Sequence, residues 1–451
     1  MTPCSDFCSG GNQHTDRLQT LGHISRRELR RAAKMAKLAG FASASMFGHY
    51  APTHTVLSSV AARCQKYVGA HVSVQGGIEN AVLNAYAASC QCFALFLKSQ
   101  RKWDTPILEA KHTELFKTAR NRVPSFRDTL IMPHGSYLVN LGDADEQKWS
   151  RSFEVFLDDV KRCEQLGIAL YNFHPGSSLS GDRAQSLARI SHAINLAHQH
   201  TTKVCLVLEN TAGAGNTLGG SFEELATLIA GVRDKERVGV CLDTCHAFAY
   251  GYDISTAESF DQVLQHFDRV VGLRYLKAMH INDSKADRSS KRDRHENIGK
   301  GKLGLAPFRF IMNDARFARI PLILETPVPA DASDPLAVYR AEIRLLYSLV
   351  EDEQVQQQLR QLPPLPEIVL PATVKVEAQA SATSQEGVVS MDTDDMPILA
   401  VTKRQQSASR VKIKVEKAPL EASSPQDDPV SQDTTEPTPL KRRRSSRKAP
   451  S

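Results

Sequence analysis

Between residues 67 and 351 short apolar runs alternate with longer amphipathic segments. The runs fall at Tyr67–His71, 92–98, 129–134, 170–174, 204–209, Val238–Asp243, 275–280 and 321–325. The sixth, V-G-V-C-L-D-T-C-H from Val238 to His246, is a β-branched run that stops at a carboxylate, with an imidazole three residues on. It reads as a strand buried on both faces. Between the runs lie helix-like segments: 78–90, which opens after Gly76-Gly77; 148–166, with Phe153, Phe156, Leu157, Val160, Cys163 and Leu166 at helical spacing; then 184–200, Phe222–Gly231, 257–271, 305–314 and 336–350. Eight strands alternating with helices predict an α/β fold of the (β/α)8 TIM-barrel type. An open doubly wound sheet competes for the same alternation; eight units favour closure, because an open parallel sheet leaves edges to protect.

The pattern stops at both ends. Residues 1–65 do not read as core. Arg26, Arg27, Arg30, Arg31, Lys34 and Lys37 interleave with Leu29, Ala32, Ala33, Met35, Leu38 and Phe41, which suits either an amphipathic mitochondrial targeting helix or an unstructured basic arm. A barrel domain is expected over 66–361. Pro363, Pro364 and Pro366 end the last helix, and 362–451 is rich in Pro, Ser, Thr, Gln, Glu and Lys, the composition of a disordered tail. It ends in Lys441-Arg442-Arg443-Arg444 and Arg447-Lys448, a nuclear-import-like or nucleic-acid-contacting cluster. Val374-Lys375-Val376-Glu377 and Ile413-Lys414-Val415-Glu416 share the apolar-Lys-x-Glu form used for attaching a ubiquitin-like modifier. The expected setting is therefore the nucleus, with the mitochondrion as a second site, and an import receptor and a modifier-conjugating enzyme as partners of the tail.

Composition narrows the rest. With 56 Lys+Arg against 50 Asp+Glu the net charge is only +6, and the excess sits at the ends. No apolar run approaches the roughly 20 residues that span a bilayer, so no membrane partner is expected. Nine scattered Cys make no disulfide scaffold and point to a reducing compartment.

The strand ends carry the chemistry. The third, fourth and fifth runs end at His134, His174 and Glu209, the sixth at Asp243 with His246 beyond, the seventh at His280 and the eighth at Glu325; Asp293-Arg294-His295 follows the seventh. In a parallel barrel all of these lie at one mouth. Five of the chain's 15 His fall in this set. Imidazoles mixed with carboxylates suit Zn2+ or Mn2+, and nine such groups exceed one tetrahedral site, so two or three metals with a bridging carboxylate are implied. Metals roughly 3.5–4 Å apart clamp the attacking and leaving oxygens of a phosphate, and acidify water from pKa 15.7 to about 7. Phosphodiester hydrolysis is the expected reaction. Cys241, taken to alternate away from the neighbours of Asp243, and Cys245 are read as packing residues, with metal contact by Cys245 the alternative. Ser99-Gln100-Arg101-Lys102-Trp103 and Gly135-Ser136-Tyr137-Leu138 on the same face suit phosphate contact and wedging between base steps, or local packing, with Trp103 starting a shell helix. A metal-dependent sugar isomerase and a non-catalytic DNA-binding scaffold are the competing functions.

The motifs G-A-H-V-S (69–73), S-Q-R-K-W (99–103), P-H-G-S-Y-L-V-N-L-G (133–142), N-F-H-P-G-S (172–177), L-E-N-T-A-G (208–213), L-D-T-C-H-A-F (242–248), M-H-I-N-D (279–283), D-R-H (293–295) and L-E-T-P (324–327) together resemble the endonuclease IV family of apurinic/apyrimidinic (AP) endonucleases. The resemblance implies three zinc ions, with Glu209 bridging two. One of these would also take His134 and His174, the other Asp243, His280 and Glu325; the third would take His246, Asp293 and His295. Glu209, Glu325 and His174 would be catalytic. Arg101, Tyr137 and Leu138 would penetrate duplex DNA and hold an abasic nucleotide flipped out. The implied reaction is a nick 5′ to the lesion that leaves a 3′-hydroxyl, with trimming of blocked 3′ ends, by a monomer. The basic extensions resemble the eukaryotic, fungal-type branch of the family.

Overall fold

The computed structural model describes residues 44–364, Ser180 excepted. Strands β1 (Tyr67–His71), β2 (Cys92–Ala94), β3 (Leu170–Phe173), β4 (Cys205–Glu209), β5 (Val238–Asp243) and β6 (Leu276–His280) come first, then a small hairpin of β7 (Asp283–Ser284) and β8 (His295–Glu296), then β9 (Pro321–Leu324). The large sheet runs β2-β1-β9-β6-β5-β4-β3, and every neighbouring pair is parallel.

The run at 129–134, expected as a strand, is instead a 3-10 turn (Asp128–Leu130) followed by isolated bridges. Ile131 bridges Phe93, and His134 bridges both Phe96 and Asn172. Met132 N donates to Phe93 O at 3.0 Å, His134 N to Leu95 O at 2.9 Å, and Asn172 N to Pro133 O at 2.9 Å. Pro133 has no N–H to give, which breaks the ladder without breaking the segment's place in it. This stretch joins β2 to β3, so the ring closes and the open-sheet alternative falls.

Alternation then sets one apolar layer inside the ring and one outside it, under the helices. Cys92, Ala94, Met132, Leu170, Cys205, Val207, Cys241, Ala278 and Ile323 form one buried apolar cluster in the barrel's interior. The intervening residues, among them Phe93, Leu206, Leu208, Val240, Leu242, Leu322 and Leu324, belong to the larger core under the helices. Cys241 therefore points the same way as Asp243, one layer below it, and not away from its neighbours; its reading as a packing residue stands. The interior is narrow: a Cβ on Gly69 would lie 1.7 Å from Cys92 O, so only glycine lets β1 and β2 approach so closely.

The outer helices are α1 (Ala44–Cys64), α2 (Asn80–Ala87), α3 (Ala110–Asn121), α4 (Glu146–Leu166), α5 (Arg183–His200), α6 (Phe222–Gly231), α7 (Thr244–Tyr250), α8 (Ala257–Val270), α9 (Ala306–Asn313), α10 (Pro335–Ser348) and α11 (Glu353–Leu359). Local chemistry fixes their starts. Asp145 accepts from Gln147 N and Lys148 N at α4, and Thr256 with Ser259 forms a capping box at α8. The body starts earlier than residue 66: in α1, Leu57, Val60 and Ala61 are wholly buried, and Arg63 pairs with Asp352 at the start of α11 at 2.9 Å. The boundary drawn at 65 is thus corrected. The basic stretch 26–41, Lys375, Lys414 and the terminal basic cluster lie outside the described residues. Among the described residues no helix is long and apolar enough to cross a membrane.

Candidate metal centre

The layer above the apolar one is polar. Two residues beyond Met132, Val207, Cys241, Ala278 and Ile323 stand His134, Glu209, Asp243, His280 and Glu325, so strand alternation aims each into the barrel. All five are buried, none more than 2% exposed. Glu209 is the hub. Its Oε2 lies 3.2 Å from His134 Nε2 and 3.5 Å from His174 Nε2, and accepts from Asn172 Nδ2 at 2.5 Å. Its Oε1 lies 2.9 Å from His280 Nδ1 and 3.4 Å from His246 Nδ1. His280 Nδ1 in turn faces Glu325 Oε2 at 3.2 Å and Asp243 Oδ2 at 4.0 Å.

Asp243 ends β5 and caps α7. Its Oδ1 accepts from His246 N at 2.8 Å, which leaves Oδ2 to the cluster, where Asn282 Nδ2 donates to it at 2.7 Å. Asn210 locks this corner: its Oδ1 accepts from Asp243 N at 2.6 Å and its backbone carbonyl holds His246 Nδ1 at 2.9 Å. His295 comes from β8, its Nδ1 donating to Glu325 O at 3.1 Å. Asp293, with its side chain 46% exposed, spans the last pair: His246 Nε2 is 3.0 Å from Oδ2 and His295 Nε2 is 3.2 Å from Oδ1.

The nine residues expected at one barrel mouth are thus brought together, in overlapping groups whose ligand atoms lie within 4.8 Å of one another: His134, His174 and Glu209; Glu209, Asp243, His280 and Glu325; Asp243, His246 and His295; and Cys245, Asp293 and His295. Cys245 is buried and its Sγ donates weakly to Arg294 O at 3.5 Å. The grouping meets a chemical test for cations. One imidazole nitrogen, His280 Nδ1, converges on three carboxylates, whereas it can donate one proton. His246 Nε2 and His295 Nε2 are buried, yet make no properly directed hydrogen bond despite their closeness to Asp293. Buried polar atoms without such partners need another explanation, an ion among them.

Electrostatics says the same. Burial raises Glu209, but the imidazoles of His280 and His174 outweigh it and hold that carboxyl well below its usual range. Burial also raises Glu325, and His280, His71 and His134 reverse it. Burial lowers His295, and Asp293 more than compensates, bringing it to about 9. Nearby carboxylates likewise raise His246 and His280 against the effect of burial.

His71 was missed. It ends β1 on the inward face, and its Nδ1 sits 3.0 Å from Glu325 Oε1; the i, i+2 step from Gly69 was the available signal. Missed too is a clamp on the loop after β2. Lys98, 4% exposed, donates to Val155 O and Asp158 Oδ2, each at 2.8 Å. Arg162 Nη2 donates to Pro106 O at 2.6 Å, and Arg151 stacks on Trp103 at 4.6 Å. Trp103 therefore neither starts a helix nor stands free. Arg101 is exposed and Leu138 half-buried. Tyr137 is 40% exposed with its ring 5.1 Å from that of His134, and its N donates to Gln100 Oε1 at 3.2 Å.

A family model described as a xylose isomerase-like TIM barrel matches residues 82–349. A "Probable endonuclease 4" of Chlorobium phaeobacteroides (strain BS1) is 50% identical over 277 residues, which is 61% of this chain and 97% of that protein. The chain belongs to the endonuclease IV family. Within the family, the solved endonuclease IV of Thermus thermophilus is 33% identical with a TM-score of 0.55, covering 63% of this chain and 98% of that one. An "Apurinic-apyrimidinic endonuclease 1" of Plasmodium berghei (strain Anka) is 49% identical over 289 residues, 64% of this chain. The chain spans 56% of that relative's length and 47% of its Plasmodium falciparum counterpart's.

Proposed function

We propose that the chain is a zinc-dependent AP endonuclease of DNA base-excision repair. It hydrolyses the phosphodiester 5′ to an abasic site, leaves a 3′-hydroxyl, and trims blocked 3′ ends. The observation that carries this reading is the convergence of His134, His174, Glu209, Asp243, His246, His280, Asp293, His295 and Glu325 at one barrel mouth; the relatives' names agree with it.

Three zinc ions fit the donor set: one on His134, His174 and Glu209, one on Glu209, Asp243, His280 and Glu325, one on His246, Asp293 and His295. Bound there, they would supply Lewis acidity, neutralising charge on the phosphoryl oxygens and acidifying the attacking water. The chain's own part is positional. Glu209, Glu325 and His174 stand nearest the reacting phosphate. His71 orients Glu325, Asn172 orients Glu209, and Asn210 and Asn282 orient Asp243. The apolar layer beneath closes the floor. Arg101, Tyr137 and Leu138 enter the duplex and keep the abasic nucleotide out of the stack, and the clamp on the 98–108 loop fixes where Arg101 stands. The terminal basic clusters direct the protein to nucleus and mitochondrion.

The test is purified protein on a duplex with one abasic site, before and after prolonged chelation, with zinc counted on the same sample. A single 5′ nick that disappears with the metal and returns with zinc is expected. Cleavage untouched by chelation would end the proposal; tight binding without cleavage would make the chain a scaffold.

A further inference from the structure

Asp283 and Glu342 are buried carboxylates that have no part in the cluster. Asp283, the last residue of the M-H-I-N-D motif, is wholly buried. Its Oδ1 accepts from Ser284 N at 2.7 Å and from Leu303 N at 2.9 Å, and its Oδ2 from Gly301 N at 2.9 Å. Beside it Lys302 N donates to Ser284 O at 2.8 Å. These bonds close the neck of the loop 284–303, which carries Asp293 and His295. The closure is tight: a Cβ on Gly301 would stand 2.4 Å from both Asp283 Oδ1 and Ser284 O. Glu342, on α10 and 6% exposed, accepts from Ile298 N at 2.9 Å, Asn297 Nδ2 at 3.3 Å and Thr326 Oγ1 at 2.5 Å. It thereby ties the loop's returning limb to the residue that follows Glu325.

The two parts of the centre depend on different supports. His134, Glu209, Asp243, His280 and Glu325 project from strand ends or the bridged segment beside them. Asp293 and His295 reach His246 only while the loop is closed, and closing a loop of this length has an entropic cost that something must offset. The loop's tip is fastened to α7 by Ser289 N on Phe248 O and Lys291 N on Ala249 O. That fastening holds Ser289 and Lys291 in left-handed backbone, at φ 64° and 58°, which non-glycine residues adopt reluctantly. The neck carries no such strain.

We infer that Asp283 and Glu342 are positioning residues for the third cation: they hold the loop in the form that assembles His246, Asp293 and His295, and without them one metal of three is lost while the strand-end pair remains. The inference rests on the trinuclear reading above and adds which residues govern the occupancy of its third member.

The experiment is a zinc count per chain by mass spectrometry on the full chain after removal of free metal, with circular dichroism and thermal melting alongside. The unaltered chain, Asp283→Asn, Glu342→Leu, Glu342→Gln and His295→Ala are compared. Three zinc ions are expected for the unaltered chain, and two for Asp283→Asn, whose amide would face backbone N–H groups, and for Glu342→Leu, with an unchanged circular dichroism spectrum. Glu342→Gln keeps an acceptor for Ile298 N and stays nearer three. His295→Ala falls to two, and adding Asp283→Asn to it removes no more. If Asp283→Asn does not fold, the contrast between Glu342→Leu and Glu342→Gln decides. Three zinc ions in both Asp283→Asn and Glu342→Leu, or loss of all metal from folded protein, would overturn the inference. Fewer than three in the unaltered chain would overturn the trinuclear reading itself, and is seen before any variant is compared.

Discussion

Two layers of one barrel interior, a single i to i+2 step apart on the same strands, have opposite chemistry. The lower layer is Val207, Cys241, Ala278 and Ile323, uncharged and packed in one cluster. The upper is Glu209, Asp243, His280 and Glu325, buried as deeply and charged. The lower layer is held by packing, which no solute replaces. The upper is held by mutual neutralisation, in which a proton or a cation can serve. One set of strands thus gives an uncharged floor beneath a layer of titratable groups.

The sharpest break of that comparison is Glu209→Gln. It removes the charge shared by two metal groups and leaves the floor intact, so nicking of an abasic duplex should fall by at least ~10^3-fold, about 4 kcal/mol of barrier, with melting little changed. Loss of folding in step with activity would erase the distinction. The converse substitution, Ile323→Ala, should cost about 2–5 kcal/mol of stability and keep the zinc count; denaturant titration and metal analysis on one preparation check both.

In metal-free protein His295 stands at about 9 against 6.5 unfolded. The folded state holds that proton more tightly, so the stabilisation is complete below pH 6.5 and is lost as pH rises through 9, up to about 3 kcal/mol. Zinc binding needs the same imidazole deprotonated, so affinity should rise over that window. Melting curves of chelated and zinc-loaded protein should diverge between pH 6.5 and 9; parallel curves would show that protons and metal do not compete there. Of similar size is the control outside the barrel interior. His54 of α1, buried against Tyr86 and Phe126 at 4.4 and 5.7 Å between centroids, is pushed down to about 4 by that burial. Its contribution is complete above pH 6.5 and is lost as pH falls toward 4. His54→Phe should flatten the acid limb of stability and leave zinc content alone; an unchanged acid limb would count against it.

The alternation that makes the comparison was largely legible in the residues. Eight apolar runs gave the barrel, and their last residues gave the strand-end ligands, because a parallel strand buried on both faces shows its C-terminal edge as an abrupt change from apolar to charged. His71 also ends such a run, yet only the inward phase shared with Glu325 marks it as part of the layer. Asp293 and His295 lie on a loop, where no periodicity speaks, and were found through the D-R-H motif. The irregular segment around Pro133 and helix α1 were misjudged for a common reason. Neither has the local pattern of its class, and long-range contacts define both: His134 with Phe96 and Asn172, Arg63 with Asp352. Helix α3 escaped because only Leu115, Phe116 and Ala119 of it are buried.

The most direct measurement is anomalous diffraction at the zinc edge from crystals of the metal-loaded protein. Three peaks are expected: one among His134, His174 and Glu209, one among Glu209, Asp243, His280 and Glu325, and one among His246, Asp293 and His295. Peaks elsewhere, or none above the apolar layer, would contradict it.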